Sequence, residues 1–164
     1  MKRKKTPARK KRSPRPKYRF ENRVLDLVTG ITSAIADLRD LGEECRSIVD
    51  NASEGLSQSQ RIQTLDETAS ALENLDEIDV PSYLDAVKIV YQEMSPYNKR
   101  RPQSRATRCA NACAILSSCV EKLSEGEDWY YHDADKLSTV EDLGRECQEA
   151  IDSSEGLDFP GMYG

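Results

Sequence analysis

The sequence predicts an all-α fold: an antiparallel helical bundle, or helical hairpins with coiled-coil-like seams, behind a disordered basic N-terminal arm. Three observations predict it. Apolar residues recur at alternating steps of three and four through most of the chain after residue 23. No alternation of apolar and polar residues is long enough to mark a strand. Hydrophobic content is only 37% of 164 residues, which suits narrow seams between helices better than a thick sandwich core.

The division this implies is an arm at 1–20, a helical domain at 21–158 and a short tail at 159–164. The arm reads MKRKKTPARKKRSPRPKYRF. Its like charges repel and its prolines interrupt any helix, so it should be extended and disordered.

The first predicted helix runs from about Glu21 to Glu54. Val24, Val28, Ile31, Ile35, Leu38, Gly42, Cys45, Val49 and Ala52 form an a/d seam, widened by Leu25, Leu27, Leu41 and Ile48. Gly30 and Gly42 each cost about 1 kcal/mol relative to Ala, so a kink is expected near either. A second helix spans about Ser59 to Ile78 and is stopped by Asp79-Val80-Pro81, because the residue before a proline is pushed out of the helical region. A third, shorter helix covers about Ser82–Met94, with Leu84, Val87, Val90 or Tyr91, and Met94 on one side. The fourth covers about Ser104–Ser124, its seam marked by Cys109, Cys113, Leu116, Val120 and Leu123. The fifth starts near Ser138-Thr-Val-Glu141, a capping-box pattern.

One phrase occurs twice. DLGEECRSIVDNASEGL (40–56) and DLGRECQEAIDSSEGL (142–157) share ten of sixteen aligned positions across a single-residue gap. Each copy carries a seam cysteine, Cys45 or Cys147, and ends in Ser-Glu-Gly-Leu. Glycine just past a helix can take the left-handed conformation that closes the last turn. The repetition therefore reads as two equivalent helix ends, near 54 and 155, inherited from a duplication. The rival is coincidence between acidic helices of similar composition.

LENLDEIDVP (72–81) and EGLDFPGMYG (155–164) resemble the helix ends of small uncharacterised proteins from bacteriophages and bacterial mobile elements. The resemblance implies a prokaryotic or phage origin, hence a bacterial cytoplasm or a virion, and carries no activity with it.

Charge separates the chain into two objects. Residues 1–23 hold 12 of the 24 bases and one of the 29 acids, a net of +11; residues 24–164 hold 12 bases and 28 acids, a net of −16. That asymmetry indicates a basic arm on an acidic body. No apolar run approaches the roughly 20 residues that span a bilayer, and no apolar stretch follows the N-terminal charges as a secretory signal requires. With no export signal, the five cysteines are expected to be free thiols.

The arm is the strongest functional signal. Lys2, Arg3, Lys4, Lys5, Arg9, Lys10, Lys11, Arg12, Arg15, Lys17 and Arg19 would bind phosphates by releasing counterions, with little sequence choice. Ser13-Pro14-Arg15-Pro16-Lys17 resembles the proline-flanked basic motifs of A·T-rich minor grooves, without the glycine of the AT-hook core. Tyr18 and Phe20 add rings that would stack on unpaired bases. A second basic patch, Lys99, Arg100, Arg101, Arg105 and Arg108, opens the fourth helix. Cations there oppose the helix dipole, unless an anion sits on the exposed N–H groups or acids of the first two helices pair with them.

Two metal readings carry little weight. The thiols of Cys109, Cys113 and a third cysteine lack C-x₂-C spacing and mostly lie where the seam needs small residues. Asp128, His132 and Asp135 would share one face only if 125–136 were helical; otherwise Trp129 and one tyrosine anchor the fifth helix to the bundle. No phosphate loop, nucleotide fingerprint or hydrolase motif occurs. The sequence thus points to a non-enzymatic binding protein without cofactor or metal. Its partner is expected to be DNA or RNA, contacted mainly non-specifically, or else an acidic protein. The alternative is a structural assembly protein of a virion or scaffold, oligomerising through its helices with the arm docked on acidic subunits.

Overall fold

The computed structural model describes residues 17–97 and 102–161. Its first element corrects the all-α expectation. Strand β1 (Tyr18–Asp26) pairs antiparallel with β2 (Lys88–Pro96), in a register that sets Phe20 against Met94, Asn22 against Gln92 and Val24 against Val90. The fold is therefore mixed, with a two-stranded sheet packed beside helices. Residues 18–26 alternate rings or branched side chains (Tyr18, Phe20, Val24) with charges (Arg19, Glu21, Arg23), the period-2 pattern of a half-exposed strand. Val24, assigned to the helical seam, is instead 64% exposed on the outer sheet face.

Helix α1 (Leu27–Asp50) follows β1 without a loop, the Leu27 N–H donating to the Val87 carbonyl at 2.8 Å. A helical turn α2 (Glu54–Ser57) leads to α3 (Gln60–Glu73), which packs on α1. The Ser59 hydroxyl caps α3 by accepting from the Ile62 N–H, so the predicted start holds. Its end comes at Glu73, five residues before Ile78, yet Leu75 and Ile78 stay buried in the extended segment beyond. The predicted helix over 82–94 is not formed. Ser82–Leu84 makes one 3₁₀ turn, and the run Ile89-Val90-Tyr91 enters β2, where branched and aromatic side chains fit a pleated surface.

Helix α4 (Arg105–Leu123) matches its expected bounds, with Ser104 accepting from the Thr107 N–H. It packs against α1, β2 and α6 (Ala134–Ser154), and so stands at the centre of the molecule. A short turn, α5 (Gly126–Trp129), joins α4 to α6. α6 begins a full turn before the expected capping box, because Asp133 accepts from the Lys136 N–H at 3.1 Å. Trp129 and Tyr130 pack on the core while Tyr131 is exposed, as the anchoring reading expected.

The seam of α1 is consumed inside the chain: Ile31, Ile35, Leu38 and Leu41 lie in one core with Leu72, Leu84, Ile89, Leu116 and Leu143. The two glycines expected to kink α1 are close-approach positions instead. A Cβ on Gly42 would sit 3.0 Å from Leu72 Cβ and 3.1 Å from the Glu73 nitrogen; one on Gly30 would sit 2.9 Å from Ile89 Cδ1.

The repeated phrase does not end two helices alike. Gly156 is left-handed (φ 79°) and Leu157 packs back on the core, whereas Gly55 lies within α2 and Leu56 is exposed. The caps do not correspond, so the two phrase ends are not structurally equivalent.

Candidate nucleic-acid interface

Of the predicted contact residues, Lys17 and Arg19 lie at one end of the sheet and Arg105 and Arg108 on α4. The Tyr97 N–H donates to the Lys17 carbonyl at 3.0 Å, extending the β1–β2 ladder by one pair. Residues 16 and 98 are bonded covalently to these two, so both basic segments attach at neighbouring points although they lie 80 residues apart in sequence. Lys2, Arg3, Lys4, Lys5, Arg9, Lys10, Lys11, Arg12 and Arg15 lie outside the described residues, as do Lys99, Arg100 and Arg101. Beside the attachment points stand three exposed rings: Tyr18, Phe20 (62% exposed) and Tyr97 (61%).

Lys17 is exposed at the entry to β1. Arg19 is half-buried, with Nη1 3.0 Å from Glu21 Oε1. Arg23, which sequence reasoning did not single out, donates through Nε to Glu93 Oε2 at 2.8 Å and lies 3.2 Å from Glu21. The Glu93 hydrogen bond raises the Arg23 pKa further above its already high value. The inner face of the sheet end is therefore nearly charge-balanced. Alternation of charge along 19, 21 and 23 was the available signal for this row.

Arg105 and Arg108 sit in the first turns of α4 and reach sideways to α1. Arg105 Nε lies 3.3 Å from Glu44 Oε2, and Arg108 Nη1 lies 2.5 Å from Glu44 Oε1. This is the acid pairing weighed from the sequence. The Arg108 hydrogen bond, helped by Arg105, holds the Glu44 carboxyl below the usual carboxylate range. Asp37 on the same helix is pushed upward by burial, against the attraction of Arg108. A different arginine, Arg46, ties α1 to α3 through Glu73, Asp66 and Ser70, a structural role that charge counting missed.

The other candidate chemistries are not assembled. His132 is exposed in the turn between α5 and α6, so Asp128, His132 and Asp135 share no helix face. Among the described residues no group of three His, Cys, Asp or Glu side chains is placed to hold a metal. Cys45, Cys109, Cys119 and Cys147 are buried free thiols and Cys113 is half-buried. Cys113 and Cys109 line a groove of about 430 Å³ with Ala106, Ala110, Leu157 and Phe159. Among the described residues no helix is long and apolar enough to cross a membrane. The chain matches no family model, no curated protein and no solved structure.

Proposed function

We propose that the protein is a non-enzymatic binding protein that grips nucleic-acid phosphates through two basic segments acting together, the arm ending at Lys17 and the segment beginning after Tyr97. The observation that supports this reading is the Tyr97–Lys17 backbone hydrogen bond, which joins both segments to the same end of the sheet. Cations converging on one point raise the local positive potential more than the same cations dispersed on a body of net −16. The exposed rings of Tyr18, Phe20 and Tyr97 offer faces on which an unpaired base would stack.

The test is a fluorescence-anisotropy titration of duplex DNA and of single-stranded RNA, with the full chain and with a chain lacking residues 1–16. Six or more phosphate contacts predict roughly a 10³-fold loss of affinity between about 50 and 200 mM salt. Loss of that binding with the arm supports the reading. No binding by the full chain at low salt overturns it, and the arm then belongs to an assembly with acidic protein, the virion or scaffold alternative.

A further inference from the structure

We infer that β1 pairs with the β1 of a second copy across a two-fold axis at Asn22, giving a continuous four-stranded sheet. The inference does not depend on the nucleic-acid reading.

Hydrogen-bond parity sets which backbone groups of β1 face away from β2. The bonds Tyr97 N–H to Lys17 C=O and Leu27 N–H to Val87 C=O bracket the β1–β2 ladder. In an antiparallel pair the residues that exchange hydrogen bonds alternate with those that do not. The odd residues of β1 therefore turn their backbone groups to β2, and Tyr18, Phe20, Asn22, Val24 and Asp26 turn theirs away from it. Among the described residues these outward groups have no backbone partner. The opposite edge of the sheet is engaged at one end: Met94 donates its N–H to Asn111 Oδ1 (2.8 Å) and accepts from Asn111 Nδ2 (2.9 Å), and Pro96 has no N–H to offer.

A nine-residue edge strand without proline, bulge or covering element is an unusual exposure in a soluble chain. Its own sequence fits a second copy. Parity requires even residues to meet even residues, and the register centred on Asn22 is the one that pairs all nine. In that register Phe20 faces Val24 of the copy on the outer side, twice by symmetry. Glu21 faces Arg23 on the inner side, also twice, so opposite charges meet at both crossings. Asn22 meets itself on the axis, where two amides can exchange a hydrogen bond. The outer face then carries rows running Val90, Val24, Phe20, Met94 across four strands, joining side chains of which Phe20, Val24 and Val90 are each more than 60% exposed in the single chain. About ten backbone hydrogen bonds would form between the copies.

The experiment is sedimentation velocity of the nuclease-treated full chain over a range of concentrations, with no nucleic acid present. The expected result is a species of twice the 18.5 kDa chain mass that dissociates on dilution. Asn22→Pro removes an outward N–H while leaving the β1–β2 ladder intact, and should give monomer where the natural chain is dimer. Should that variant fail to fold by circular dichroism, the charge pair decides: Arg23→Glu weakens the dimer, and Glu21→Arg combined with Arg23→Glu restores it. A chain monomeric at every concentration overturns the inference. So does a dimer equally tight with Asn22→Pro, which places the contact elsewhere, or a dimer lost on removing residues 1–16, which assigns it to the arm.

Discussion

The side chain of Asn111 on α4 does for Met94 what a neighbouring strand would do: it accepts the Met94 N–H and donates to the Met94 carbonyl, at 2.8 and 2.9 Å. A primary amide presents one acceptor and one donor side by side, as a peptide group does. The clamp satisfies an otherwise orphaned edge and fixes where β2 lies on α4. Asn111→Leu leaves the Met94 N–H unpaired and its carbonyl with only the longer 3.5 Å bond from Gln103 Nε2, and should lower stability by about 1–3 kcal/mol. Urea denaturation checks the magnitude, and hydrogen exchange should show faster opening at Met94 than at Ile89. Asn111→Asp keeps the acceptor but sets an oxygen against the Met94 carbonyl, so at neutral pH it should rescue little.

The glycines of the helices separate by what surrounds them. On Gly42 a methyl group meets Leu72 and the backbone of Glu73 at about van der Waals overlap. α1 and α3 would have to move apart, and overpacking of this kind costs about 1–3 kcal/mol. That exceeds the roughly 1 kcal/mol of helix propensity which alanine brings, so Gly42→Ala should destabilise. Gly144 on α6 has its nearest neighbour, Leu123 Cβ, at 3.9 Å. Gly144→Ala should therefore stabilise, by up to about 1 kcal/mol. Thermal melts of the two variants beside the parent chain should move in opposite directions.

The thiols differ in a way that mass spectrometry can read. Burial pushes Cys119 and Cys147 up to about 12. The neighbouring Cys113 thiol and burial raise Cys109, whose Sγ donates to the Ser154 carbonyl at 3.7 Å, and the same pairing of thiols lowers Cys113. Cys113 also opens into the groove beside Phe159. Since the thiolate is the nucleophile, brief alkylation of the folded chain near pH 8 should label Cys113 and spare the other four. Equal labelling of Cys119 would mean that the α4–α6 seam opens as fast as the reagent reacts.

What the sequence disclosed depended on whether the signal was local. Ser59 and Ser104 cap their helices through their own hydroxyls, and the apolar steps after them belong to single elements, so α3 and α4 were placed within a few residues at their starts. β1 was hidden because Val24 and Leu25 continue the three-four spacing of α1 backward, and because Tyr18 and Phe20 were absorbed into a charged arm. β2 was hidden because Leu84, Val87, Tyr91 and Met94 also satisfy a helical spacing. What decides between the two periods is the partner strand some 70 residues away, with Glu93 waiting for Arg23 and Ile89 filling the space above Gly30. No single-window periodicity contains that pairing. The candidate interface was readable as composition. The adjacency of Lys17 and Tyr97, the residues to which the two basic segments are attached, exists only once the strands are paired.

Glu44 links stability to the proposed binding surface. Its folded-state pKa is depressed by Arg108 and Arg105, so it takes up a proton less readily folded than unfolded. Its contribution is then complete above the unfolded value near about 4.3 and is lost as pH falls through the lower folded value. The three side chains are partly exposed at the surface, where such pairs contribute about 0–1 kcal/mol. Glu44→Gln should thus lower stability slightly at pH 7, and the difference from the parent chain should vanish once pH falls below the depressed folded value. The same substitution releases two arginines at the start of α4, close in sequence to the segment that follows Tyr97. If they join the phosphate contacts, affinity for duplex DNA should rise and the salt slope should steepen by about 2, near 0.9 per added contact. A slope that stays the same while stability falls would confine Arg105 and Arg108 to holding α4 against α1, leaving phosphate binding to Lys17 and the segments on either side of the sheet end.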